Sequence, residues 1–153
     1  MANFISFDLE VPLSPQDNAY ELMKLFLNEG TIFGVINRND DLLTLENRRD
    51  DVPYNTSTLI APFLIPHNIS ESDITNLSIA ASFTGVTVNL ISSLQANTCN
   101  VFCITTTYRQ YVLHHIYKLG IYSYNIASTT FPLDKLDIPL CKESTEPLRK
   151  AQK

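Results

Sequence analysis

The chain has 153 residues, 44% hydrophobic and 18% charged, enough apolar material for one core and too much for a disordered polypeptide. Its formal net charge of −5 repels phosphate backbones and argues against nucleic-acid binding. No apolar run reaches the roughly 18 residues of a membrane span, and Met1-Ala2-Asn3-Phe4 lacks the basic start of a secretory signal.

The charge is unevenly placed. Residues 1–73 hold 12 acidic and 4 basic side chains, residues 74–153 hold 4 acidic and 7 basic, and no Asp or Glu stands between Ile74 and Leu133. The three cysteines are Cys99, Cys103 and Cys141. On a strand, Cys99 and Cys103 would have Cα atoms roughly 13 Å apart, too far for a bridge. Unpaired thiols point to a reducing, cytoplasmic location. The N-x-S/T triplets at Asn55, Asn68 and Asn76 are no more than so many Asn, Ser and Thr residues yield by chance.

In chain order, Asn3 to Val11 alternates, with Ile5, Phe7, Leu9 and Val11 on one face and Ser6, Asp8 and Glu10 on the other; only Phe4 breaks the pattern. This predicts a half-buried strand, added antiparallel to the sheet. After Pro12 and Pro15, a stripe of Ala19, Leu22, Met23, Phe26 and Leu27 predicts a helix over Gln16 to Glu29, stopped by Gly30. Thr31 to Asn37 is rich in β-branched residues and, with Leu42 to Glu46, predicts a hairpin about the polar turn 38–41. Glu46 to Tyr54 reads as an exposed loop, and Thr58 to Ile65 as a strand whose Pro62 argues for an edge position or a bulge. Ser70 and Asp73 have capping-box spacing before a helix over Asp73 to Phe83. Val86 to Ile91 predicts another strand and Ser92 to Asn97 a loop.

The stretch from Cys99 to Ile126 reads as strand, helix, strand. Val101-Phe102-Cys103-Ile104 is the first strand, and Thr107 with Gln110 has the spacing of a capping box. The helix would bury Tyr108, Val112, Ile116 and Leu119 and would stop at Gly120. Both this unit and Leu59 to Ile91 suggest parallel crossovers. The expectation is one α/β domain over residues 1–140, a mixed sheet of about six to seven strands with about three helices, and a frayed polar tail over 141–153.

Candidate chemistry is sparse. His114 and His115 diverge by about 100° on a helix, and no C-x2-C or H-x3-H spacing accompanies them, so no metal site is expected. Cys103 lies in an apolar run where a thiol stays protonated, so no catalytic cysteine or other catalytic group is assigned. No glycine-rich nucleotide motif occurs, and no cofactor is implied. Thr105, Thr106 and Thr107 with Arg109 stand at a strand end before a helix, where open α/β sheets bind anions, and Ser92 and Ser93 are placed to line the same crevice. Tyr108, Tyr111, Tyr117, Tyr122 and Tyr124 are of a residue type that suits either a core margin or an interface.

The acidic turns carry the favoured reading. Asp40, Asp41, Glu46, Asp50 and Asp51 form a negative stretch suited to a basic protein partner, since such charge steers association. Small, acidic, single-domain proteins without catalytic motifs include toxin-neutralising immunity proteins and antitoxins, so an inhibitor of a toxin domain is the expectation, by analogy of class. The alternative is a small-ligand- or anion-binding domain or enzyme using Ser92, Ser93 and Thr105 to Arg109.

Overall fold

The computed structural model describes residues 3–27, 30–46, 56–131 and 133. Along the chain the elements are β1 (Asn3–Phe7), α1 (Asn18–Leu27), α2 (Gly30–Leu45), α3 (Thr56–Leu64), α4 (Glu71–Ala80), α5 (Thr87–Ala96), β2 (Cys99–Tyr108), α6 (Arg109–Tyr117) and β3 (Ile126–Thr129). Short 3-10 turns occupy Ile65–His67 and Ser123–Asn125. Two compact units result: residues 1–18 with 74–131, and residues 19–73 with 132–153.

The first unit holds the sheet. Its three strands are all parallel in the order β1-β2-β3, with Asn3 opposite Cys99 and Phe7 opposite Cys103. Because side chains alternate across a strand, Ile5, Val101 and Cys103 share one face, and α5 and α6 pack against the sheet. Ile91 of α5 and Val112 and Ile116 of α6 are fully buried there. Each such aliphatic side chain contributes roughly 1.5–3 kcal/mol on removal from water. The stripe expected for α6 is present, since Tyr108 and Leu119 are buried as well. Gly120 ends the helix region with φ +68°, and its carbonyl accepts from the Gln95 side chain at 3.1 Å.

The second unit is helical. In α2 the inward positions are Phe33 and Asp40, with Ile36 and Leu43 half-buried between and after them. In α3 they are Ser57, Ile60, Ala61 and Leu64. Both sets step by three and four residues, the period of a helix. Tyr20 meets Phe33 edge-on with ring centroids 5.6 Å apart. At the start of α4 the capping box forms as the spacing implied. Ser70 N–H donates to Asp73 Oδ2 at 2.9 Å and Asp73 N–H to Ser70 Oγ at 3.2 Å. The Ser70 hydroxyl, which donates to Asp73 Oδ2 at 2.7 Å, and the Ser70 N–H hold the Asp73 carboxyl below its usual range.

The architecture corrects the expected mixed sheet of six to seven strands and three helices. Among the described residues there are three strands, none antiparallel, and six α-helices. The 31–46 hairpin is α2, the 58–65 strand is α3 with Pro62 exposed inside it, and the 86–91 strand with its following loop is α5. In each case β-branched content favoured a strand, while the spacing of the buried residues is helical and tertiary packing decides. Leu59 to Ile91 is therefore no crossover, and β1 pairs parallel with β2 rather than antiparallel. The tail over 141–153 lies outside the described residues.

Val11 has φ 76° and is 81% exposed, so a β-branched residue holds a left-handed backbone with little burial to offset it. Val11→Gly is expected to raise stability by roughly 0.5–1 kcal/mol, the relief of left-handed strain less the greater chain entropy of glycine. A urea titration checks this through its midpoint, and a midpoint moved downward contradicts it.

Candidate functional site

β1 runs out at Phe7, and the chain then closes on itself over Asp8 to Ser14. Ser14 and Leu13 N–H donate to the Leu9 carbonyl at 2.9 and 3.2 Å, and Val11 N–H donates to the Ser14 carbonyl at 2.8 Å. Leu9 and Leu13 are buried, which anchors the loop and turns the side chains beside them to different surroundings. Asp8 is exposed, with Oδ1 accepting from Leu9 N–H at 2.6 Å.

Glu10 is carried to the end of the neighbouring strand. Its Oε1 accepts from Thr107 Oγ1 at 2.9 Å and from the N–H of Asn18, the first residue of α1, at 3.1 Å. Thr105 Oγ1 in turn donates to Thr107 Oγ1 at 3.2 Å, giving a hydroxyl chain that ends on the carboxylate. Burial pushes the Glu10 carboxyl above its usual range, and the negative charge of Asp17 adds to this. The bonds from Thr107 and Asn18 oppose the shift.

The strand ends here are irregular. β2 continues through all three threonines to Tyr108, and its register with β3 shifts between Ile104 and Tyr108, as strands often do beside functional sites. Thr107 is buried, Thr105 half-buried and Thr106 exposed. α6 begins at once with Arg109, half-buried, and Tyr108 as an N-cap without a side-chain cap bond. The expected capping box therefore does not form. Thr107 is committed to Glu10, and Gln110 donates to the Phe131 carbonyl at 2.8 Å.

The other sequence candidates are scattered. Ser92 and Ser93 are exposed on α5, a helix, and do not stand at a strand end. Asp40 is buried on α2 instead of lying in an exposed turn, with Oδ2 accepting from Thr56 Oγ1 at 2.8 Å. Asp41 and Glu46 are exposed, and Asp50 and Asp51 lie outside the described residues. His114 is exposed, while His115 is fully buried, its ring 4.3 Å from that of Phe83, and burial depresses its pKa. Burial pushes the Cys103 thiol up to about 12. Cys141 lies outside the described residues. Among the tyrosines, Tyr108 and Tyr111 are core, and Tyr117, Tyr122 and Tyr124 are exposed. The described residues contain no helix long and apolar enough to cross a membrane.

Asp8 and Glu10 are what sequence reasoning missed. They look like the polar face of a strand, yet they stand where that strand ends before two prolines. Carboxyl ends of parallel strands are where such sheets place ligands. Parallel pairing with β2 was the missing premise.

No family model matches the chain, and no curated protein matches it. Solved structures do. A gene product of Archaeoglobus fulgidus is similar over 99% of this chain and 48% of its own, at 23% identity and a TM-score of 0.90. DsGPDH of Dunaliella salina matches over 84% of this chain and 21% of its own, at 22% identity and a TM-score of 0.53. A phosphoserine phosphohydrolase-like protein of Francisella tularensis subsp. tularensis SCHU S4 matches over 84% of this chain and 58% of its own, at 14% identity and a TM-score of 0.57. At these identities the fold is what is shared. The chain spans about half the length of the archaeal protein it matches.

The raised Glu10 carboxyl fixes a pH response. A carboxyl whose folded pKa exceeds its ordinary value, 4.5 here, adds stability below that value and loses it as pH rises through the folded pKa. Glu10→Gln keeps an acceptor for Thr107 and Asn18 without the charge. The variant should match the wild type near pH 4 and become the more stable of the two toward pH 8. Urea midpoints measured across that range check it, and parallel curves contradict it.

Proposed function

We propose that the carboxyl ends of β1 and β2 form part of a phosphate-ester site, in which Asp8 faces the phosphorus and Glu10 handles the proton. The observation that carries this is the Thr105–Thr107–Glu10 hydrogen-bond chain, which links two adjacent parallel strand ends. Carboxylates are the nucleophiles that form aspartyl phosphates, and a carboxyl whose pKa is raised holds a proton to higher pH than an ordinary one and can donate it. Asp8 would attack the phosphorus, the ester P–O bond would break, and the leaving oxygen would take the Glu10 proton. Water would then cleave the aspartyl phosphate and return a proton to Glu10. The exposed Thr106 hydroxyl is a donor of the kind that holds phosphate oxygens.

Two further features agree. The Asn18 side chain is buried with neither Oδ1 nor Nδ2 hydrogen-bonded among the described residues, and such a group calls for a bound polar atom. The Francisella neighbour bears the name of a phosphoserine phosphohydrolase-like protein, a chemistry of this class. A reducing, cytoplasmic setting fits Cys99 and Cys103, both free thiols. An inhibitor of a basic toxin finds no such support. Of its five acids, Asp40 is buried and only Asp41 and Glu46 are exposed among the described residues.

Inorganic phosphate is the probe. In a two-dimensional amide NMR titration, phosphate should shift the signals of Thr105 to Gln110. Thr106→Val should weaken its affinity by about tenfold, the loss of one hydroxyl donor to an anion. Asp8→Asn should tighten it by removing a like charge. Amide signals indifferent to phosphate in that segment would sink the reading.

A further inference from the structure

The two faces of the sheet differ. Ile5, Val101 and Cys103 lie on the helix-covered face, whereas Phe4 is 77% and Ile104 58% exposed on the other. With Ser6, Asn100 and Phe102 they line a groove of about 480 Å³. Parallel sheets are covered on both faces in nearly every protein that has one, and contiguous exposed apolar surface marks a docking site. β1 is also an edge strand among the described residues, so one row of its backbone groups is open to another strand. The position of Asp8 bears on what belongs there. Ligand crevices in open parallel sheets form where the strand order reverses, which requires a strand on the far side of β1. The archaeal protein matched along 99% of this chain is about twice as long.

From these observations we infer that the Phe4–Phe102–Ile104 face and the free edge of β1 dock a partner polypeptide. The partner is an α/β segment that lays an apolar helix face into the groove and adds a parallel strand to β1. Helix-in-groove packing and strand addition are both established modes of polypeptide recognition. The added strand beside β1 rests in part on the phosphate reading, whereas labelling at Ile104 reports on the sheet face alone, so the two can fail separately.

The test uses the full chain and, as probe, the part of the Archaeoglobus fulgidus protein outside the match, produced as a separate polypeptide. Ile104→Cys is labelled with a maleimide and read peptide by peptide, which separates it from the native cysteines. It should label rapidly in the chain alone and at least tenfold more slowly with the probe in excess. Tyr124→Cys, away from the face, should label equally in both. Phe102→Asp added to Ile104→Cys should abolish the protection, and Phe4→Ser serves the same purpose if circular dichroism shows the first variant unfolded. Unchanged labelling of Ile104→Cys with excess probe overturns the proposal. So does protection in the chain alone together with a dimeric mass by light scattering, which would assign the face to a second copy.

Discussion

A single hydrogen bond, Thr107 Oγ1 to Glu10 Oε1, ties together strand ends 97 residues apart in sequence. Its partners are far from equivalent. Thr107 belongs to β2, in the stretch where its register with β3 shifts, whereas Glu10 reaches it from a loop closed by the anchors Leu9 and Leu13. Removing the hydroxyl would leave the half-buried Glu10 carboxyl with the Asn18 N–H as its remaining hydrogen-bond donor among the described residues, and a partly desolvated group that loses a partner costs stability. The loop conformation, the left-handed Val11 within it and the protonation of Glu10 are thus one coupled arrangement.

Several titratable groups in this chain are buried, and burial alone does not make a site. His115 is enclosed by Phe83 and Tyr111 and bonds the Ser78 carbonyl at 3.3 Å. Cys103 is wrapped by the sheet core, and Asp40 holds Thr56 within the helical unit. Each has one local job. Glu10 differs in standing at a strand's carboxyl end, beside an exposed carboxylate and a strand of hydroxyls that arrives from the other end of the chain.

The sequence was most legible where burial and period coincide. The Ala19–Leu22–Met23 stripe, the Tyr108–Val112–Ile116 stripe and the Ser70–Asp73 cap are where they were expected, because each depends on neighbours three or four residues away. Thr31 to Glu46 and Val86 to Ile91 misled, since β-branched residues there sit on helices whose inward faces are thin: Thr87 and Ile91 in α5. The site was hidden for a different reason. Thr107 and Gln110 satisfy a local spacing rule that the folded chain does not use, and nothing near Asp8 in sequence announces a partner near residue 105. Phe4, the one residue that broke the alternation of β1, was a true signal of the bare sheet face.

Parallel pairing of β1 with β2 also sets an order of events during synthesis. β1 ends at Phe7, yet its partner strand begins only at Cys99. At about 5–20 residues per second on the ribosome, β1 waits roughly 5–20 seconds with both edges open and Phe4 uncovered. Helices can form in that interval from local contacts, but the carboxylates and threonines cannot meet until β2 emerges. The nascent chain is therefore exposed to aggregation and to chaperones at β1, which is made long before its partner strand.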